Sequence, residues 1–243
     1  MLKVIALAAM LAIPAAGAAA QSLSEAQEAE VRALIRDHLI ENPEILAEAF
    51  EALQTRQQVA EEQALKGAIA ELGETLRNAP DDPVGGNPKG GITVVEFFDY
   101  NCPFCRRVKP EVIELLESDE RIRYVFKEFP ILSASSGQAA RVALAVWHLA
   151  PETYWDVHNA LMGFDGTLTE DQIRTVIKDA GFDWDEVVAR GDAEDVTQKI
   201  RENLEVARRL QINGTPSFVI GDEIIPGFVE AEQLAAAVAA VDK

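Results

Sequence analysis

The fold is decided by FFDYNCPFC at residues 97–105, a stretch that contains both cysteines of the chain in a C-x-x-C spacing. The apolar, β-branched run 92–98 predicts a buried strand that leads into it, and the run 106–116 predicts a helix that leads out. A helix N-terminus carries unpaired N–H groups and about half a positive charge, which favours an anion there. The pattern therefore predicts a cysteine that is acidified at the start of a helix.

The two cysteines are expected to play different parts. We expect Cys102, where the helix begins, to be the exposed nucleophile, and Cys105, one turn further in, to be the shielded resolving thiol. A free cysteine titrates near pH ~8.5, whereas C-x-x-C pairs at helix starts titrate at roughly 3.5–7.5. Pro103 suits the first helical turn because its missing N–H has no intrahelical partner to lose. This context predicts thiol–disulfide redox chemistry.

Two other uses of the cysteine pair are less well supported by the sequence. A ring as short as C-x-x-C restricts the unfolded chain little, so it is a poor structural disulfide. Half of a zinc site needs about two more Cys or His ligands. The chain has no third cysteine, and His38, His148 and His158 show no paired ligand spacing. The predicted chemistry uses no metal and no cofactor other than the redox-active disulfide.

Composition and the N-terminal sequence indicate which partners and which cellular compartment to expect. The 243 residues are 48% hydrophobic, enough for one or two domains with a core, and carry a net charge of −19. This charge argues against nucleic acid as a partner, because phosphates need Lys and Arg patches. Residues 1–20 combine a charged start, an apolar run and an Ala-x-Ala cleavage pattern, which predict a signal peptide. We therefore expect an exported protein in a bacterial periplasm, where disulfides are tolerated.

Residues 21–78 predict a helical segment ahead of the redox domain. Its apolar residues recur at spacings of three and four in a coiled-coil-like stripe. The stripe comprises Val31, Leu34, Ile35, Leu39, Leu46, Phe50, Leu53, Leu65, Ile69, Leu72 and Leu76. A long helix must bury its apolar face, so the stripe either folds back on the redox domain or packs against copies of itself. The Gly, Pro, Asn and Asp content of residues 78–91 predicts a linker at the domain boundary.

Glu96 is an acid inside the apolar strand, and it has two interpretations. Its side chain faces water, or it is a partly buried carboxyl under the disulfide that accepts or relays the proton of Cys105. Burial would raise its pKa and make it a workable general base. Lys127 and Glu128 lie at the end of a second predicted strand, 122–127, and a salt-bridged strand terminus explains them without a further role.

The rest of the chain predicts a helical block followed by a short sheet segment. Residues 133–195 and 195–210 are predicted to be helical, 217–220 and 223–225 to form a hairpin, and 230–241 to form a closing helix. Pro216 follows Gly214-Thr215 in a tight turn that fits either a cis or a trans peptide bond. The spacing does not choose between them.

This order of elements resembles the DsbA family of exported thiol–disulfide oxidoreductases. The resemblance covers roughly residues 84–243, and its markers are residues 96–105 and Gly214-Thr215-Pro216. It implies an α/β, thioredoxin-like fold in residues 79–243, with an inserted helical domain at about 131–195. The preceding helical extension, 21–78, is similar to those of Com1-like and ScsC-like members, in which such segments make oligomers.

The resemblance also implies the site and its partners. The implied catalytic residues are Cys102, Cys105, the cis-proline Pro216 and the buried acid Glu96, and the implied substrate-binding residues are Thr215, Pro103 and Phe104. The dipeptide between the cysteines is Pro-Phe, where the family's best-known member has Pro-His. The implied partners are unfolded or partly folded exported proteins with thiols or disulfides, and a membrane redox protein, either a DsbB-like oxidase or a DsbD-like reductase.

The direction of electron flow stays open at this point. The first hypothesis is a disulfide-forming oxidant, and the second is an oligomeric isomerase or reductant like ScsC. The reduction potential decides between them, and about 30 mV is worth roughly 1.4 kcal/mol. A third hypothesis is a non-catalytic module that binds metal through the C-x-x-C pair.

Overall fold

The structure, a computed structural model, describes residues 23–241. The predicted signal peptide, residues 1–20, lies outside the described residues. Contacts divide the chain into two compact units, one that ends at Val59 and one that begins at Ala60. Across residues 23–241, no helix combines the length and the apolar character needed to cross a bilayer.

Residues 25–71 form two helices, α1 (Glu25–Glu41) and α2 (Glu44–Glu71). A capping box formed by Ser24 and Gln27 starts α1 and satisfies N–H groups of its first turn. Six apolar side chains of the predicted stripe are exposed here: Val31, Leu34, Ile35, Leu46, Phe50 and Leu53. Leu34 is 70% exposed and Phe50 is 67% exposed.

The later part of the stripe is buried. Ile69 of α2, together with Leu72 and Leu76 at the short helix α3 (Gly73–Arg77), packs against apolar side chains of the sheet, among them Val95 and Phe97. Burying an aliphatic side chain of this kind contributes about 1.5–3 kcal/mol. For these three residues, the structure shows the arrangement in which the stripe folds back on the redox domain.

A mixed five-stranded sheet lies at the centre of the second unit, in the order β1-β3-β2-β4-β5. Its strands are β1 (Val84–Gly86), β2 (Ile92–Phe98), β3 (Ile122–Glu128), β4 (Ser217–Ile220) and β5 (Glu223–Pro226). The central strand β2 pairs in parallel with β3 and antiparallel with β4. Because both faces of β2 are covered, its sequence is an almost continuous apolar run.

The edge strand β1 lies inside residues 78–91, where composition predicted only a linker. Val84 pairs with Val125 of β3, and Gly86 pairs with Arg123. Gly86 has a φ of 63°, and a Cβ there would lie 2.7 Å from the carbonyl oxygen of Ile122. Glycine is therefore required at this close approach, and a glycine- and proline-rich composition is compatible with an edge strand.

Helices cover both faces of the sheet. They are α4 (Pro103–Ser118), α5 (Ala134–Leu149), α6 (Tyr154–Leu161), α7 (Glu170–Asp179), α8 (Trp184–Gly191), α9 (Glu194–Arg209) and α10 (Ala231–Val241). The predicted helical block corresponds to α5–α8, and α5 is buried along most of its length. The main core packs one face of the sheet against α4 and these helices, with Phe98, Tyr124 and Phe126 at its centre. The architecture is the predicted α/β, thioredoxin-like fold with helices inserted between β3 and α9.

Candidate active site

The central strand delivers the C-x-x-C pair to the first turn of α4. Cys102 is the N-cap residue of α4, and Pro103 occupies the first helical turn, as predicted. Both cysteines are free thiols. Cys102 is 4% exposed and Cys105 is 2% exposed. The expectation that Cys102 is exposed is therefore wrong for this conformation, because the turn that contains Thr215 lies over its sulfur.

Thr215 and Pro216 lie opposite the cysteine pair, and the peptide bond between them is cis. In the thiol form, the Sγ of Cys102 donates to the carbonyl oxygen of Thr215 at 3.1 Å, across 113 positions of sequence. Pro216 immediately precedes β4, whose Phe218 pairs with Glu96 of β2. The pairing of β2 with β4 thus brings the two sequence motifs together.

The environment separates the acidities of the two thiols. The pKa of Cys102 is lowered to about 5, first by the hydrogen bond that the Cys105 thiol donates to its sulfur. The backbone N–H groups of Phe104 and Cys105, at the start of α4, add to this effect. Burial, followed by the contact with Cys102, raises the pKa of the Cys105 thiol far above its usual range. At neutral pH, Cys102 is a thiolate and Cys105 is a thiol.

Glu96 is buried beneath this pair, with 4% of its surface exposed. Its Oε2 accepts a hydrogen bond from the hydroxyl of Tyr124 at 2.7 Å. Burial raises the pKa of Glu96 to about 7, while the Tyr124 hydrogen bond acts against this rise and the charge of Cys102 adds to it. Of the two interpretations of Glu96, the structure shows the buried carboxyl, and its pKa suits proton transfer near neutral pH.

The loop before Cys102 is held by the side chain of Asp99. Its Oδ1 accepts from the Asn101 N–H at 2.8 Å and the Ser136 hydroxyl at 2.7 Å. Its Oδ2 accepts from the N–H groups of Ile131 and Leu132 at 2.8 and 3.0 Å. One buried carboxyl therefore fixes the active-site loop, the start of α5 and the segment after β3 relative to one another.

Two family models match different parts of the chain. Residues 93–239 match the DSBA-like thioredoxin domain. The chain belongs to the DsbA-like thioredoxin family. Residues 27–60 match the N-terminal domain of the copper resistance protein ScsC. The DsbA-like match covers β3, β4, β5 and β2 from its second residue on, together with both cysteines and the Thr215–Pro216 turn.

Solved structures of DsbA-like and ScsC proteins are similar to this chain. A thioredoxin-like oxidoreductase from Silicibacter pomeroyi DSS-3 is 43% identical, covers 70% of this chain and 96% of its own, and has a TM-score of 0.67. ScsC from Proteus mirabilis, in a transitional conformation, is 36% identical, covers 90% and 97%, and has a TM-score of 0.67. A periplasmic thioredoxin-like protein from Salmonella enterica serovar Typhimurium is 32% identical, covers 70% and 95%, and has a TM-score of 0.64. The thiol-disulfide exchange protein alpha-DsbA2 from Wolbachia pipientis is 29% identical, covers 75% of this chain and 98% of its own, and has a TM-score of 0.70.

The chain also matches part of much longer proteins. The Na(+)/H(+) antiporter NhaA 1 of Salinispora arenicola is 29% identical over 65% of this chain, but the match spans only 24% of the antiporter. The chain thus spans about a quarter of the length of the first curated relatives that it matches.

Sequence reasoning missed Glu128 of this DsbA-like domain. Glu128 pairs with Phe98 in the parallel register of β2 and β3, and it is 1% exposed. Its Oε1 accepts hydrogen bonds from the hydroxyls of Tyr100 and Tyr154, both at 3.0 Å. Burial raises the pKa of Glu128 well above its usual range. The predicted strand ended one residue too early, and the register that places Glu128 on the same face as Glu96 is the signal that was lacking.

Lys127, on the opposite face of the same strand, belongs to a buried ion cluster. Its ammonium pairs with Asp82, and Asp82 also accepts from Lys199 of α9 at 2.9 Å. All three side chains are buried. A salt bridge does involve Lys127, as predicted, but it lies in the interior, and its acid comes from the segment that was predicted to be a linker.

Proposed function

We propose that this DsbA-like protein exchanges disulfides with exported proteins in a periplasm through Cys102 and Cys105, with its own disulfide as the only redox group. The observation that carries this proposal is the acidified thiol of Cys102 at the start of α4, 3.1 Å from the carbonyl oxygen of Thr215. The predicted signal peptide, residues 1–20, and the similarity to a periplasmic protein of Salmonella support export.

In the oxidising direction, a substrate thiolate attacks the Sγ of Cys102 in the Cys102–Cys105 disulfide. The S–S bond breaks, its electron pair goes to the sulfur of Cys105, and that sulfur takes up a proton supplied through Glu96. A second substrate thiolate then attacks the substrate sulfur of the mixed disulfide, and Cys102 leaves as a thiolate. A low pKa makes Cys102 a good leaving group, which favours this direction.

The substrate chain is proposed to lie along the backbone of Thr215, next to Pro103 and Phe104. Phe104 is 53% exposed beside the cysteines, although most aromatic residues of the domain are buried. Ile131 and Leu132 are 39% and 52% exposed, and Asp99 ties their backbone to the active-site loop. These side chains offer an apolar surface to unfolded or partly folded proteins.

A membrane redox protein is proposed to restore the working state after each exchange. An oxidase like DsbB would reoxidise the pair, and a reductase like DsbD would keep it reduced. The equilibrium constant of the Cys102–Cys105 pair against glutathione decides which partner the chemistry requires, because the pair works as an oxidant only when its reduced form is the more stable one.

An oligomeric isomerase or reductant is the second candidate function. The exposed apolar side chains of α1 and α2 favour it, as does the match of residues 27–60 to the ScsC N-terminal domain. An oligomer formed through residues 21–78 would present several C-x-x-C pairs to one misfolded substrate. Sedimentation of the mature protein with and without residues 21–78, together with refolding of a scrambled-disulfide protein, separates the two functions.

Trapping tests the proposed exchange itself. We expect Cys105→Ser to accumulate a mixed disulfide between Cys102 and a reducible substrate, and Cys102→Ser to accumulate none. The metal-binding alternative predicts metal retained through purification and no mixed disulfide in Cys105→Ser. Within residues 23–241, no group of three or more His, Cys, Asp or Glu side chains is arranged to hold a metal ion. A Cys105→Ser protein that traps no substrate would overturn the proposed function.

A further inference from the structure

A small cavity separates the two groups that exchange a proton during disulfide chemistry. Cys105 must lose a proton when the disulfide closes, and Glu96 is the buried carboxyl that is placed to receive it. Among the residues that the structure describes, Glu96 has a hydrogen bond with Tyr124 and none with Cys105. Both groups line a cavity of about 10 Å³. This is about the room that one water molecule needs, and its walls offer the polar partners that a buried water requires.

His158 of α6 also lines this cavity. Its imidazole is 3% exposed and is held between aromatic rings. The ring of Trp155 stacks on it at 5.7 Å with an interplanar angle of 8°, and the ring of Phe98 meets it edge-on at 4.9 Å. The orientation of the imidazole is therefore fixed by packing, and only its protonation pattern is left to be set by hydrogen bonds.

The hydrogen bonds of Tyr100 set that protonation pattern. The Tyr100 hydroxyl donates its only proton to Oε1 of Glu128 at 3.0 Å. The same oxygen lies 3.3 Å from Nδ1 of His158. With no proton left to give, the hydroxyl must accept in this second contact, so Nδ1 carries the ring proton. Nε2 is then unprotonated and can accept a hydrogen bond.

We infer that His158 is a positioning residue of the thiol–disulfide site. Its Nε2 accepts a hydrogen bond from a water in the cavity and orients that water between Cys105 and Glu96. Glu128 and Tyr100 act through His158, because together they select the tautomer that leaves Nε2 free to accept. This inference rests on the proposed function and adds residues that the C-x-x-C and Thr-Pro motifs do not contain.

The step that this arrangement serves is closure of the disulfide in a mixed disulfide. The S–H bond of Cys105 breaks, and its proton passes to the water, which gives another of its protons to the carboxylate of Glu96. The sulfur of Cys105 uses its electron pair to form the bond to Cys102. The bond between Cys102 and the substrate sulfur breaks, and the substrate leaves as a thiolate.

Burial and the charge of Lys109 keep His158 neutral, so it accepts a hydrogen bond and does not store a proton. Burial, followed by the positive charge of Lys109, lowers the pKa of His158 to about 3. The titratable groups that contact it or share its cavity are Tyr100 from the active-site loop, Tyr154 from α6, Lys109 and Cys105 from α4 and Glu96 from β2. Lys109 is half-buried at the wall of the cavity, where its ammonium donates to the carbonyl oxygen of Asn159 at 3.2 Å.

Two tyrosines provide a matched test. Tyr100 and Tyr154 both donate to Oε1 of Glu128 at 3.0 Å, but only the hydroxyl of Tyr100 reaches Nδ1 of His158.

Reduced protein is mixed with a disulfide-bonded peptide, and acid-quenched samples are analysed by mass spectrometry. This separates attack by Cys102 from resolution by Cys105. We expect Tyr100→Phe to slow resolution about tenfold, a part of the 10²–10⁴-fold that positioned proton transfer contributes. Attack should be unchanged, and Tyr154→Phe should stay within about twofold of wild type in both steps.

Conservative variants keep the test decisive if the tyrosine variants fold poorly. His158→Gln can place an amide oxygen near the position of Nε2 and should resolve faster than His158→Phe. Glu128→Gln keeps an acceptor for Tyr100 and should resolve faster than Glu128→Leu. Equal resolution rates for Tyr100→Phe and Tyr154→Phe would overturn this inference and leave the proposed function intact. A Glu128→Gln variant that resolves the mixed disulfide as slowly as Glu128→Leu would do the same. A wild-type protein that never forms the mixed disulfide would overturn the proposed function as well.

Discussion

The sulfur of Cys102 lies 3.1 Å from the carbonyl oxygen of Thr215, although 113 positions of sequence separate the two residues. The contact exists because β2 and β4 are neighbours in the sheet, with Phe97 opposite Ser217. One strand carries the cysteine pair to a helix N-terminus, and the other places a backbone carbonyl over the sulfur. A substrate strand that pairs with Thr215 would therefore bring its own sulfur to Cys102.

The stability of the reduced protein should depend on pH through Cys102. Its pKa is about 5 in the folded protein and about 8.5 for an unfolded cysteine. Because the pKa is lowered in the folded state, the ionisation of Cys102 contributes to the free energy of unfolding. This contribution is complete above about pH 8.5 and is lost as pH falls through about 5. The free energy of unfolding of the reduced wild type, minus that of Cys102→Ser, should rise between these pH values by up to about 1.4 kcal/mol per pH unit. Denaturant titrations at several pH values check this, and a flat difference would contradict it.

Glu96 should control the pH dependence of resolution by Cys105. Its pKa of about 7 means that the carboxylate, the form that accepts a proton, increases as pH rises through 7. Glu96→Gln should slow resolution about 10–100-fold and remove this rise. Tyr124→Phe removes the hydrogen bond that favours the carboxylate, so the rise should move to higher pH. Acid-quench kinetics across this pH range measure both effects, and a Glu96→Gln profile that matches wild type would exclude Glu96 as the base.

Asp82 should stabilise the domain far more than its position inside the predicted linker suggests. It is 2% exposed and pairs with two buried ammonium groups, those of Lys127 and Lys199. Asp82→Ala leaves both charges uncompensated and should cost about 3–5 kcal/mol of unfolding free energy. Asp222 pairs with Lys66 at the surface at 3.4 Å, so Asp222→Ala is the control and should cause no measurable change. Equal unfolding midpoints for the two variants would show that the buried cluster is not needed.

The exposed apolar stripe of α1 and α2 should hold copies of the chain together. Phe50 is 67% exposed. Burying a charge at that position in an apolar interface would cost free energy. Phe50→Glu should reduce the sedimenting mass towards that of a single chain. Thr55→Glu adds the same charge away from the stripe and should leave the mass unchanged. A wild-type protein that sediments as a single chain would contradict the proposed oligomer.

Local patterns were enough to predict the elements that carry the chemistry. A run of apolar residues predicts β2, and Pro103 predicts the start of α4, because strand burial and helix initiation are determined by residues that are close in sequence. The strand β1 was missed because it is short and rich in glycine, and only its pairing with β3 reveals it.

Buried polar groups were harder to predict because their burial depends on distant partners. Glu128 looks like an ordinary strand end until the register of β2 and β3 places it opposite Phe98. Asp82 looks like a linker residue until Lys127 and Lys199 converge on it. Charged side chains are almost always exposed unless paired, so a sequence without its tertiary contacts favours the exposed interpretation.

The central claim is that Cys102 is a thiolate at neutral pH because the Cys105 thiol and the backbone N–H groups at the start of α4 donate hydrogen bonds to its sulfur. The most direct test is the rate at which reduced protein reacts with iodoacetamide as a function of pH, with the labelled cysteine identified by mass spectrometry. The account predicts that Cys102 is labelled first and that its rate has a midpoint near pH 5. A midpoint near pH ~8.5, the value for an ordinary cysteine thiol, would contradict it.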